Sequence, residues 1–109
     1  MGTTPVDLYR AGNAAGPRMD HVRANRDIVV TQQNGVDWVS PLCGGVSTRE
    51  RQYWPFRGWW RIPKGTAFSD LLAVQNDHGD HWIWEPAQGM ELAEYVRLLA
   101  SLNGEFVPA

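Results

Sequence analysis

Only one stretch of this 109-residue chain carries a sustained helical period. Between Met90 and Asn103 the apolar residues Leu92, Val96, Leu99 and Leu102 recur at three- and four-residue steps, which puts them on one helix face. Arg97 follows Glu94 by three residues, a surface pair of small value, and Asn103-Gly104 supplies a helix stop. Upstream, breakers cut the chain into short pieces that alternate with a period of two. One helix and a set of short strands, without βαβ alternation, predict an α+β fold built mostly on antiparallel sheet.

The strand candidates are five or six. Val6 to Arg10 alternates and runs into the breaker-rich AGNAAGP, a strand followed by a loop. Met19 to Arg26 is compatible with two helical turns. Ile28 to Thr31 is β-branched, Asn34-Gly35 is a strong hairpin turn, and Val36 to Ser40 alternates as a return strand should. In VSTRERQYWPF, Ser47 and Thr48 with Glu50 could cap a short helix, while Tyr53, Trp54 and Phe56 favour extended chain. Gly58 to Ile62 is a further strand and Pro63 to Thr66 a turn. Phe68 to Val74 starts as a turn and finishes as a strand. Asn76 to Asp80 is a polar turn, and His81 to Glu85 alternates until Pro86 stops it.

The length suits one domain over residues 1–109. A hydrophobic share of 43% against 20% charged is that of an ordinary folded domain. No apolar run reaches the ~20 residues of a membrane helix, and MGTTPVDLYR has neither the basic patch nor the apolar core of a secretory signal. A net charge of -2 disfavours nucleic-acid binding, which needs clustered cations. Cys43 is the only cysteine, so no internal disulfide forms and a cysteine-based metal site is disfavoured. No His or Lys lies near it in sequence to activate the thiol, which favours an inert role.

Six tryptophans and nine arginines against a single lysine, Lys64, set the chain apart. Indoles fill a small core well, and they also stack planar ligands. Arg10, at a strand end before a Gly-rich loop, has the planar fork that suits phosphate or carboxylate. Gly44-Gly45-Val46-Ser47 joins two glycines, which let backbone approach a ligand or simply turn, to a hydrogen-bonding serine. On a strand His81, Ile83 and Glu85 face one way and Trp82 and Trp84 the other. That is the pattern of a polar cleft wall over an apolar layer, or of a solvated sheet face. His78, Asp80, His81 and Glu85 lack a third metal ligand at fixed spacing, so no metal site is assigned.

Read in order, the chain runs LYR, DIV, a hairpin, GGVS, an aromatic stretch, IPKGT, LLAVQND, HWIWEP and a Met-led final helix. From Leu8 to about Leu99 this series resembles the small ADP-ribosyltransferase-like toxins exported by bacterial type VI secretion, the quiescence-inducing Tse-type group. The resemblance implies a compact split antiparallel sheet with the C-terminal helix packed on it, and a cleft for NAD as substrate. It matches Arg10, with Tyr9 beside it in LYR, to the first-strand arginine that holds the dinucleotide phosphates. Gly44 and Gly45 fall with it among the dinucleotide-binding positions. Ser47 matches the serine on the nicotinamide ribose side, and His81 the late-strand histidine. Glu85 stands where a transferase places its catalytic glutamate, although the toxins compared hold no carboxylate there. The segment between Arg10 and Asp27 is also shorter than in those toxins.

The chemistry so implied is cleavage of the nicotinamide–ribose bond, with the ribose passing to water or to a macromolecular acceptor. The resemblance also implies a cognate immunity protein and action in the cytoplasm, with delivery by a secretion machine that needs no signal peptide. A second reading from the residues alone is a non-catalytic module in which Tyr53, Trp54, Phe56, Trp59 and Trp60 form an aromatic platform for sugar, peptide or a partner protein.

Overall fold

The computed structural model describes residues 1–52 and 58–109. The elements run β1 (Gly2–Thr3), β2 (Leu8–Ala11), β3 (Thr31–Gln33), β4 (Val36–Val39), β5 (Val46–Arg49), β6 (Trp59–Ile62), β7 (Ala67–Phe68), β8 (Leu72–His78), β9 (His81–Pro86), β10 (Met90–Glu91), α1 (Leu92–Ala100), a 3-10 turn (Asn103–Glu105) and β11 (Val107–Pro108). Six strands form the main sheet in the order β11-β6-β2-β5-β9-β8, and every pair in it is antiparallel. A three-stranded sheet, β10-β4-β3, and the pair β1-β7 complete an α+β fold.

Alternation decides which side of each strand is buried. On β5, Val46 and Thr48 face the core, while Ser47 and Arg49 face outward. On β9, Trp84 is fully buried and donates from Nε1 to Thr48 Oγ1 at 3.1 Å. Phe68 meets it edge-on, ring centres 5.0 Å apart. Tyr95 of α1 donates its hydroxyl to the Trp84 carbonyl at 2.6 Å, so one hydrogen bond ties helix to sheet inside the core. Leu8, Ile62 and Leu99 close the apolar layer around these rings.

The Asn34-Gly35 turn is present, with φ of 52° and 77°. Two positive values in sequence are what a type I′ hairpin requires. The final helix is shorter than its pattern predicts, because Met90 and Glu91 pair with Val39 and Trp38 as a strand before the helix starts. Its buried face centres on Tyr95 and Leu99, with Leu102 buried just beyond the helix, and Leu92 and Val96 are only half-buried. Met19 to Arg26 is not helical. Arg18 and Asn25 adopt positive φ at its two ends, and the Asp27 carboxylate takes the Arg23 N–H at 2.7 Å, so the segment folds as successive turns. The strand expected over Ile28 to Thr31 begins only at Thr31, because Ile28 is held in isolated bridges to Ala24 and Gly44. The VSTR segment is a strand, not a capped helix.

Candidate active site

The main sheet is split at its middle. β2 and β5 share a single residue pair, Tyr9 with Arg49, whereas β2 pairs with β6 along all four residues. Where the β2–β5 ladder stops, the Arg10 side chain takes over. Its Nη1 donates to the Ser47 carbonyl at 2.8 Å, its Nε to the Pro17 carbonyl at 2.8 Å and its Nη2 to the Arg18 carbonyl at 3.1 Å. One guanidinium thus bridges β2, β5 and the loop between β2 and β3. Three of its five N–H groups are committed to partners among the described residues. Burial lowers the Arg10 pKa, with Asp27 opposing it.

Ser47 projects from the outward face of β5 beside this bridge. His81 opens β9 one diagonal step away, and its Nε2 lies 2.9 Å from Ser47 Oγ. The other ring nitrogen, Nδ1, is hydrogen-bonded to Asp77 Oδ1. Asp77 sits at the end of β8, where a register shift between Asn76 and His78 turns its carboxylate to the histidine. The three side chains form one line, serine to imidazole to carboxylate. The His81 ring is only 12% exposed, and His78 stacks on it with ring centres 4.9 Å apart.

Two hollows meet at Ser47. One, of about 220 Å³, is lined by Tyr9, Arg10, Arg49 and Trp59 as well as Ser47. The other, of about 310 Å³, is lined by Arg23, Arg26, Asp27, Ser47, Asp77 and His81, with Gly44 and Gly45 in its wall. Burial disfavours the charge of Asp27, but hydrogen bonds from Arg23 outweigh it and hold the carboxyl below its ordinary value. Asp77 is likewise lowered: the hydrogen bond from His81 overcomes partial burial. Both are therefore carboxylates at neutral pH.

Tyr9, Arg10, Gly44, Gly45, Ser47 and His81 are accordingly brought around one split, all at the linings of these two hollows. The glycine pair has a local cause as well. A Cβ on Gly44, whose φ is +102°, would lie 2.4 Å from the Asp27 carbonyl oxygen, and one on Gly45 2.3 Å from that of Trp84. Glu85 lies elsewhere. It is 4% exposed, its Oε2 has no hydrogen-bond partner among the described residues, and burial raises its pKa against a hydrogen bond from the Leu42 N–H. It lines neither hollow.

His78 and Asp80 flank the line without lengthening it, since Asp80 pairs with Arg49 and Arg51. Asp77, His78 and His81 bring their ligand-type atoms within 4.8 Å of one another, but the imidazoles are already directed at the Asp77 carboxylate. Cys43 is half-buried. Of the aromatic platform, Trp59 lines the Arg10 hollow and Trp60 donates to the Asn13 carbonyl at 2.9 Å. Tyr53, Trp54 and Phe56 lie outside the described residues. Sequence reasoning missed Asp77, Arg23 and Asp27. A carboxylate four residues before a histidine across a tight polar turn was the available signal for the first.

A split antiparallel sheet backed by one helix, with polar side chains gathered at the split, is the plan of the ADP-ribosyltransferase-like class. The chain matches the family described as Tse2 ADP-ribosyltransferase toxin over residues 6–107, and it belongs to that family. No curated protein and no solved structure matches it.

Proposed function

We propose that this toxin takes NAD into the split between β2 and β5, cleaves its nicotinamide–ribose bond there, and does so in the cytoplasm of the cell it enters. The observation that carries the reading is the position of Ser47, hydrogen-bonded to His81 at the meeting of two hollows in a chain of this family. A dinucleotide has two ends and an anionic middle. Trp59 and Tyr9 offer aromatic faces on one side of Ser47 and Arg23 and Arg26 offer cations on the other, a distribution suited to such a ligand. Departure of nicotinamide leaves positive charge on the ribose, and the Asp27 carboxylate supplies negative potential beside it. Ser47 and His81 orient the sugar. The ribose then passes to water or to an acceptor molecule, and a cognate immunity protein neutralises the toxin in cells that make it.

The test is NAD content and product identity in cells expressing the chain or its Ser47→Ala variant. The expected result is a serine-dependent fall in NAD, with free ADP-ribose marking hydrolysis and ADP-ribosylated material marking transfer. Growth arrest with NAD unchanged would sink this reading of the substrate.

A further inference from the structure

We propose that Asp77 is a positioning residue, which locks His81 with its proton on Nδ1 so that Nε2 is the proton acceptor for the Ser47 hydroxyl. The inference deepens the NAD reading above and rests on it for its kinetic consequence, but its structural content stands apart from any substrate.

Donors and acceptors decide the tautomer. A carboxylate only accepts, so the contact between Asp77 Oδ1 and His81 Nδ1 requires a proton on Nδ1. In a neutral ring Nε2 then carries a lone pair, and among the described residues its hydrogen-bond partner is Ser47 Oγ at 2.9 Å, which must donate. With its hydroxyl proton directed to His81, Ser47 presents its oxygen lone pairs to the cleft. Asp77 is suited to the task because it is held from two sides, His81 against Oδ1 and His78 Nδ1 3.3 Å from Oδ2. The other charged groups near His81 are engaged elsewhere or lie across the hollow. Asp80 pairs with Arg49 and Arg51, and Asp27 with Arg23. Asp77 lies in the wall of the second hollow, but its carboxylate is turned to the two imidazoles, so its effect on the Ser47 hydroxyl passes through His81.

Nitrogen-15 NMR of the imidazoles reads this directly. The full chain is labelled by cell-free synthesis, and His81 is identified among the three histidines by signal loss in His81→Gln. The neutral ring of the wild type is expected to show a protonated Nδ1 and a bare Nε2. In Asp77→Asn the amide can meet Nδ1 with either its oxygen or its nitrogen, so the Nε2–H form should appear. Turnover of NAD should fall roughly tenfold to a hundredfold in kcat, with KM within about twofold. His21→Gln, at an exposed histidine that lines neither hollow, should keep both the tautomer and the rate. A neutral wild-type His81 that carries its proton on Nε2 overturns the proposal, as does an unchanged tautomer in Asp77→Asn. If the wild type shows the Nδ1–H tautomer yet consumes no NAD, the substrate reading fails while the positioning role stands.

Discussion

Arg10 links its neighbours more firmly than an exposed arginine does, because its fork meets three carbonyls from two separate segments. A lysine keeps the charge but cannot meet three acceptors in one plane. Arg10→Lys should therefore lower the free energy of unfolding by about 2 kcal/mol in urea titrations, besides any loss of activity. An unchanged midpoint would show that the loop holds itself. Glu85 poses the opposite problem. Burial raises its pKa, so the folded state holds the proton more tightly than the unfolded one. Its contribution to stability is then most favourable below the ordinary Glu range and declines as pH rises through the raised value. Glu85→Gln should stabilise the protein by about 1 kcal/mol at pH 7 and give nothing at pH 4, read from the same titrations. That Glu85 is buried was hidden from the sequence. Alternation put it on the His81 face, which is correct for His81 and Ile83, but at the end of β9 its carboxylate is buried and accepts the Leu42 N–H.

At the scale of elements, the glycine pair before β5 is where local chemistry and long-range packing coincide. Gly44 and Gly45 let β5 start directly against Asp27 and β9, as the Gly45 N–H to Asp27 carbonyl bond of 2.8 Å shows. Alanine at either position should cost about 2 kcal/mol or more. Gly104→Ala, where a Cβ meets nothing within 4 Å, should change the urea midpoint little. Elements whose cause lies within a few residues were readable in advance: the Asn34-Gly35 hairpin, the alternation of HWIWE, and the presence of the final helix. The segment from Met19 to Arg26 was not, because its shape is set by partners far along the chain. Met19 N–H donates to Asn103 Oδ1 and Asn103 Nδ2 to Asp20 Oδ1, each at 2.9 Å and more than eighty residues distant. Asp77 escaped notice for a related reason, since a register shift in β8 turns it toward His81 and no period in the sequence encodes that shift.

Over the whole molecule, Asn103 connects the C-terminal turn to the loop that walls the larger hollow. Asn103→Ala leaves the Met19 N–H without its acceptor, so a loss of about 1–2 kcal/mol is expected, with faster amide hydrogen exchange at Met19 and Val22. Protection equal to the wild type there would show the loop is held by Arg10 alone. The bonds that assemble the cleft also share a property. Arg10 reaches Ser47 across 37 positions, Ser47 reaches His81 across 34, and Met19 reaches Asn103 across 84. Pairings of such separation form late and slowly. A chain still emerging from the ribosome therefore carries no assembled cleft until its final turn has been made, and the interval before that moment is a built-in delay between synthesis and harm.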